Sequence, residues 1–335
     1  MTIANELQHL QGKARVGGSC RTGKWGLVSV RAAIALAAAM LSGASAWGAP
    51  LRVMVTVPPQ RTFVERVGGD RVAVEVMVPP GADPHTYEPR PAARAALEQA
   101  QVYFALGDPF ERIWLERVAR AGHGPRIVRT DAGIRKIGPA PGGPPGGPPD
   151  RAGRRGRSAG DAGGDTAGDT GGDPHIWLSP PLVKLQAQRI RAALTELDPD
   201  GREAYAANFE RFARELDTLD GDLRALFKDV PQREFVVFHP AWGYFAAAYG
   251  LTQTAIEVDG KNPTPAQLRR LLEGMRARRL RVIFAQPQRS QRMAETVAAS
   301  VGARVVVADD LSADWERNLR AVAAELHAAL TGAAP

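Results

Sequence analysis

Three histidines and one aspartate stand at positions where a folded chain can gather ligands for a metal ion. His85 lies in the loop that follows the predicted strand 72–78, and His239 and Asp309 each come directly after a run of apolar residues. In open α/β sheets, ligands bind beyond the carboxyl ends of the strands, where the loops converge. The sequence therefore predicts that these side chains point towards the same kind of place.

The remaining candidate, His175, stands where apolar residues return after a stretch of low complexity. A proline adjacent to each of the three histidines restricts the backbone there, and a preformed site loses less entropy when it binds. Two histidines from the first half of the chain, with His239 and Asp309 from the second, would give four ligands. Zinc takes that number in tetrahedral geometry with nitrogen and oxygen donors, whereas manganese or iron would favour more oxygen.

Other residue types narrow the chemistry further. The only cysteine, Cys20, lies near the N-terminus, so a transition-metal site in the rest of the chain must be built from imidazole and carboxylate. Surface or loop positions explain the other histidines, which are His9, His123 and His327. Asp309 would close the fourth coordination position, and no His-Glu-x-x-His pattern or evident general base is present. The sequence therefore favours capture and release of an ion over a zinc-dependent hydrolase, the alternative enzymatic interpretation.

The first 49 residues have the pattern of an export signal. An apolar, alanine-rich stretch at 28–41 is followed by small residues up to Ala49 and is too short to span a bilayer comfortably. We predict a cleaved signal peptide over residues 1–49 and a periplasmic protein without a membrane span. The same segment carries more than half of the formal net charge of +7, which weakens any nucleic-acid-binding interpretation of that charge.

Length and periodicity predict an α/β protein with two lobes, each with its own core. A chain of 335 residues exceeds what one hydrophobic core usually serves, and alternating strand and helix patterns are typical of parallel sheets. In the first half, strands are predicted at 51–57, 72–78, 102–106 and 126–130, and helices at 61–67, 91–100, 110–119 and 182–197. In the second half, strands are predicted at 234–238, 252–258, 281–285 and 304–308, and helices at 241–249, 265–278, 290–301 and 314–330.

A long amphipathic helix is predicted between the two halves, at 202–227. Seven large apolar residues recur there at intervals of four and three, which places them on one stripe. At ~1.5 Å per residue this helix would suit either a strut between lobes or an ordinary packed helix. The predicted organisation is an N-terminal lobe at 50–200, a linking helix at 201–229 and a C-terminal lobe at 230–335.

The N-terminal lobe contains a low-complexity insert at 138–172. It is rich in glycine, proline, aspartate and arginine and has almost no large apolar residue, so we predict a disordered surface loop. Asp161, Asp165, Asp169 and the following Asp173 recur every four residues. Weak capture of cations and a simple solvated insert are both compatible with that spacing.

Four motifs resemble those of the metal-binding proteins of bacterial ABC importers for zinc and manganese, the ZnuA-like and TroA-like family. They are Pro-His-Thr-Tyr-Glu-Pro at 84–89, Asp-Pro-His-Ile-Trp-Leu at 173–178, Phe-His-Pro-Ala-Trp-Gly-Tyr-Phe at 238–245 and Gly-Lys-Asn-Pro-Thr-Pro at 260–265. The resemblance covers roughly everything after Ala49 except the insert. It implies two parallel-sheet lobes joined by a long backbone helix, with the metal in the cleft between them.

The resemblance also implies which residues bind the metal. His85, His175 and His239 match ligand positions of the family. Manganese-carrying members tend to have a glutamate at the third of these positions, so His239 favours Zn²⁺ as the transported ion over Mn²⁺. The fourth ligand would be Asp309 or its neighbour Asp310, within an Asp-Asp-Leu triplet where the family has Asp-Pro-Leu. We choose Asp309 because it is closer to the end of the predicted strand.

A member of this family would act with the permease of an ABC transporter in the inner membrane. We therefore expect a monomeric periplasmic protein, not an enzyme, that captures Zn²⁺ and hands it to that permease, with no nucleic-acid partner. The alternatives are a manganese or iron carrier of the same family and an adhesin-like surface protein. Many zinc-type relatives have a histidine-rich loop before the second ligand, whereas the insert here has no histidine.

Overall fold

The computed structural model describes residues 49–120, 124–138, 172–258 and 260–332. The predicted signal peptide, apart from Ala49, lies outside these residues, as does the predicted insert between Gly138 and Gly172. In the described part of the chain, no helix is both long enough and apolar enough to cross a lipid bilayer.

The N-terminal lobe is built on a parallel sheet of four short strands. These are β1 (Leu51–Val55), β2 (Val72–Val76), β3 (Val102–Ala105) and β4 (Arg126–Arg129). They lie in the order β2-β1-β3-β4. The helices of this lobe are α1 (Pro58–Gly68), α2 (Pro91–Gln99) and α3 (Pro109–Arg120). Each begins at a proline, whose fixed φ and missing N–H suit the first helical turn.

Two helices follow the N-terminal sheet and lead to the second half of the chain. They are α4 (Pro180–Leu197) and α5 (Arg202–Phe227). The 26 residues of α5, at ~1.5 Å each, reach roughly 39 Å. Six of the seven predicted stripe residues are buried, while the seventh, Leu226, is only partly buried and the adjacent Phe227 is buried instead. The predicted long helix is therefore confirmed.

The C-terminal lobe repeats the strand order of the first lobe. Its strands are β5 (Glu234–Val237), β6 (Thr252–Ala255), β7 (Val282–Ala285) and β8 (Arg304–Val307). They are all parallel and lie in the order β6-β5-β7-β8. The helices of this lobe are α6 (Gly243–Tyr249), α7 (Pro265–Ala277), α8 (Gln291–Val301) and α9 (Trp315–Thr331).

Every predicted strand and helix is present, and the ends of each lie within three residues of the prediction. The fold class, two parallel-sheet α/β lobes flanked by helices and connected by a long helix, is confirmed. One of the larger differences is at β6, which ends at Ala255, although the backbone N–H groups of Ile256 and Glu257 still donate to the oxygens of Val237 and Phe238.

The two lobes share one hydrophobic core, contrary to the expectation of separate cores. A single apolar cluster includes Val55 of β1, Leu219 of α5 and Phe284 of β7. Phe63 of α1 meets Trp315 of α9 edge to face, with ring centroids 5.1 Å apart. A smaller cluster covers the other face of each sheet. Both sheets bury one face in this cluster, and the cluster therefore joins the two lobes.

We predict that Leu219→Ala will destabilise the whole chain. Leu219 is 1% exposed in the shared cluster, and truncating a buried leucine removes apolar contacts and leaves a cavity. The free energy of unfolding, measured by urea denaturation, should fall by about 2 to 5 kcal/mol. The control Glu210→Ala changes an exposed residue of the same helix and should alter it by less than about 0.5 kcal/mol. The shared core would be contradicted if the variant unfolded in two steps and one lobe still unfolded at the urea concentration seen in the wild type.

Candidate metal centre

The three predicted histidines meet in the cleft between the lobes. His85 lies in the loop after β2, and His175 immediately precedes the 3₁₀ turn before α4. His239 is the second residue after β5. Each offers one ring nitrogen, and these nitrogens all lie within 4.8 Å of one another. The ring centroids are 5.0 Å apart for His85 and His239, 5.2 Å for His175 and His239, and 6.0 Å for His85 and His175. One ion can contact all three rings at such separations.

Two of the rings are oriented by carboxylates. Nδ1 of His175 lies 2.6 Å from Oδ1 of Asp173, and Nδ1 of His239 lies 2.8 Å from Oε2 of Glu257. A carboxylate beside Nδ1 favours the proton on that nitrogen and leaves the lone pair on Nε2. Nε2 of His239 is buried and has no hydrogen-bond partner among the described residues. These rings are therefore held with Nε2 as the donor available to a metal.

The protein environment favours the neutral form of two of the imidazoles. Burial, followed by the charges of His175 and Arg289, lowers the pKa of His239 to about 2. Loss of solvent around its ring, followed by the charge of His175, lowers the pKa of His85. Burial also disfavours the charged form of His175, but the charge and hydrogen bond of Asp173 outweigh it and raise the pKa of that ring. Neutral imidazoles have the free lone pair that a metal ion requires.

A small cavity adjoins the three rings. It has a volume of about 10 Å³, room for roughly one water-sized sphere, which suits a single ion rather than an organic solute. Two buried carboxylates line it together with the histidines, Asp108 from the N-terminal lobe and Asp310 from the C-terminal lobe. The arrangement offers nitrogen and oxygen donors from both lobes at one point.

Asp310, and not Asp309, lines the cavity that adjoins the imidazoles. Asp310 is 5% exposed, and its Oδ1 is buried without a hydrogen-bond partner among the described residues. Burial raises the pKa of Asp310 to about 6, although the charge of His175 opposes this. The Asp309 carboxylate instead accepts hydrogen bonds from Gln288 Nε2 at 2.7 Å and from the backbone N–H of Leu311 at 3.0 Å. Asp309 is turned away because its side chain holds the loop after β8.

Sequence reasoning did not find the residues that support the cluster. In the sequence, Asp173 stands out only as the first residue of the motif that contains His175. Glu257 is 18 positions from His239, the ring that it orients. Glu111 of α3 accepts backbone hydrogen bonds from Leu106, Gly107 and Asp108, which shapes the loop after β3. A single buried glutamate in a helix gives no sequence signal of this role.

A model of a known protein family matches most of the chain. Residues 53–329 match the family model described as "ZnuA: Zinc-uptake complex component A periplasmic". The chain belongs to the ZnuA family. As a member it is a solute-binding protein of a zinc-uptake system, and its histidine cluster occupies the cleft between the two lobes.

Individual relatives agree with this assignment. The high-affinity zinc uptake system protein ZnuA of Bacillus subtilis is 29% identical over 298 residues, which are 86% of this chain and 89% of that protein. The ZnuA of Paracoccus denitrificans is 39% identical over 231 residues, 65% of this chain and 70% of that protein. The crystal structure of a ZnuA deletion mutant with zinc bound is similar to this chain, with a TM-score of 0.73 and 39% sequence identity. The matched region covers 85% of this chain and 100% of the chain in that structure.

We predict that the histidines of the metal-free protein will titrate in a fixed order. As the pH falls, His175 should protonate first, with a midpoint above 6.5, because Asp173 stabilises its charged form. His239 should stay neutral as long as the protein is folded, because charging it would bury an ion. Long-range ¹H–¹⁵N NMR of the imidazole rings measures both midpoints.

Asp173→Asn tests the cause of this order. It should lower the midpoint of His175, whereas Asp200→Asn, which changes an exposed carboxylate, should leave it in place. A midpoint near 6.5 for His239 in the folded protein would contradict the burial of its ring.

Proposed function

We propose that this chain captures Zn²⁺ in the periplasm through His85, His175, His239 and Asp310, and delivers it to the permease of an ABC importer. The observation that carries the proposal is the convergence of three imidazole nitrogens to within 4.8 Å of one another. Family membership supports zinc as the ion, and the cleft supplies the ligand set for it.

The composition of the donor set supports zinc over manganese. Three nitrogens and one carboxylate oxygen match the tetrahedral sites that zinc forms in proteins. Manganese favours sites built mainly from oxygen, so it would gain less from three imidazoles. A cation beside Asp310 also favours the ionised form of that carboxylate, which compensates for the cost of its burial.

Asp310 serves better than Asp309 as the fourth ligand. Asp310 lines the same cavity as the histidines and its Oδ1 has no hydrogen-bond partner among the described residues, whereas the Asp309 carboxylate accepts hydrogen bonds from Gln288 and Leu311. Ligation of Asp310 would close the fourth coordination position. A zinc hydrolase keeps that position open for water, so we infer that the chain is a carrier and not an enzyme.

Release follows from the division of the ligands between the lobes. His85 and His175 belong to the N-terminal half, and His239 and Asp310 to the C-terminal half. Tilting one lobe away from the other separates the two pairs, and a zinc ion left with two protein ligands is held far less strongly. A permease that docks against both lobes can in this way lower the affinity without any covalent step.

The rest of the organisation fits a secreted monomer. We infer that residues 1–49 are removed as a signal peptide and that the mature chain consists of lobes at 50–200 and 230–335 with the linking helix at 201–229. The insert at 138–172 has no histidine, so we assign it no part in zinc collection.

Alanine variants of the three histidines test the site. Each of His85→Ala, His175→Ala and His239→Ala should weaken Zn²⁺ binding by several kcal/mol, because each removes one of four ligands. The control His327→Ala changes a histidine of α9 that packs against Phe227 and should keep wild-type affinity. Isothermal titration of the chain from Pro50 onward with Zn²⁺ and Mn²⁺, under chelator competition, gives the affinities. Full zinc affinity in His239→Ala would overturn the site.

A matched pair of aspartate variants identifies the fourth ligand. Asp310→Asn should lower Zn²⁺ affinity by at least about tenfold, since it removes a charged oxygen donor, while Asp309→Asn should stay within about threefold of wild type. The melting temperature of each metal-free variant shows whether the loop after β8 has kept its shape. The opposite ranking, with both variants folded, would assign the ligand role to Asp309.

A further inference from the structure

Arg289 places a permanent positive charge inside the metal cleft. It lies in the loop between β7 and α8, and its side chain is 16% exposed. One of its terminal nitrogens is 3.3 Å from Oδ2 of Asp83, and the other is 2.9 Å from Oε1 of Glu257. Asp83 belongs to the N-terminal lobe and Glu257 to the C-terminal lobe, so the guanidinium bridges the cleft.

Both carboxylates are also attached to the proposed ligands. Oδ1 of Asp83 accepts the backbone N–H of His85 at 3.0 Å, and Oε2 of Glu257 contacts Nδ1 of His239 at 2.8 Å. A continuous chain of polar contacts therefore runs from one ligand to the other through Arg289. Arg289 and Asp83 line the same cavity as the three histidines, whereas Glu257 lies behind His239.

A cation beside a cation site is unfavourable because like charges repel, and here the carboxylates of Asp83 and Glu257 offset the charge of Arg289. Its repulsion acts equally on every divalent ion, so charge alone does not distinguish Zn²⁺ from Mn²⁺. The type of donor atom does distinguish them, since carboxylate oxygen suits manganese and imidazole nitrogen suits zinc. By pairing with Asp83, the guanidinium occupies a carboxylate that lines the cavity and would otherwise be a further oxygen donor.

We propose that Arg289 is a specificity-determining residue of this site, a role that rests on the proposed zinc-binding function. Its guanidinium holds the Asp83 carboxylate as a counter-ion and keeps the donor set rich in nitrogen. Without Arg289, Asp83 becomes available to the ion from the N-terminal side of the cleft. The site then gains oxygen donors and moves towards the chemistry that manganese prefers.

The ratio of Mn²⁺ to Zn²⁺ affinity tests this proposal. In the mature chain, Arg289→Gln should raise that ratio by at least about tenfold, through a gain in manganese binding relative to zinc. The matched control Arg292→Gln removes an exposed arginine at the start of α8 and should leave the ratio unchanged. Competition against a chelator of known affinity for each metal measures both constants, and circular dichroism checks the fold.

Further variants distinguish a role of Arg289 in metal selectivity from a role that only bridges the two lobes. The double variant Asp83→Asn with Arg289→Gln removes the released carboxylate and should return the ratio to within about threefold of wild type. Arg289→Lys keeps the positive charge and should preserve the wild-type ratio. If Arg289→Gln does not fold, Arg289→Met, which fills the space of the arginine stem, is measured in its place with the same expected result.

The possible failures can be told apart. A wild-type chain that binds no zinc would overturn the proposed function itself. If the wild type binds zinc and Arg289→Gln weakens both metals by the same factor, Arg289 only bridges the lobes and the selectivity role is wrong. A raised ratio that persists in the double variant would also overturn it, because Asp83 would not be the oxygen donor.

Discussion

A zinc ion is held only by donor atoms that lie about 2 Å from it, so its ligands must converge to within a few ångströms of one another. The rest of this structure serves that constraint. His85 follows β2 at the edge of one sheet, His239 follows β5, the second strand of the other sheet, and the carboxyl ends of both sheets open into one cleft. A displacement of one lobe by an ångström or two would break the set, so the relation between the lobes is part of the site.

In this structure a core common to both lobes maintains that relation. The apolar stripe of α5 lies in the same cluster as residues from each sheet. Two tryptophans extend the connection to the metal site, because Trp315 Nε1 donates to the backbone oxygen of Trp177 at 2.8 Å and Trp177 Nε1 donates to that of Asp310 at 2.6 Å. Asp310 of the C-terminal lobe is thus positioned by a residue of the N-terminal half. A movement of one lobe against the other would therefore strain the hydrogen bond between Trp177 and the backbone of Asp310.

The charges around the cleft have separate tasks. Asp173 and Glu257 orient the rings of His175 and His239, and Asp310 lines the cavity with an oxygen that has no hydrogen-bond partner in the described part of the chain. Asp83 is paired with Arg289. The chemistry of the site therefore depends less on how many carboxylates are nearby than on which of them already have a partner.

The sequence by itself determined the order of strands and helices, the long helix and the three histidines. Local patterns carry this information, since apolar periodicity and proline positions act over a few residues, and the histidines stand directly beside predicted strand ends or motif prolines. The tertiary structure decided which of the two aspartates lines the cavity, that the core is shared, and which side chains Glu257 and Arg289 contact. Adjacent aspartates look alike in sequence, and only the loop after β8 turns one towards the cavity. Glu257 and Arg289 act through contacts between distant segments, and no local pattern encodes which side chain a folded chain brings opposite another.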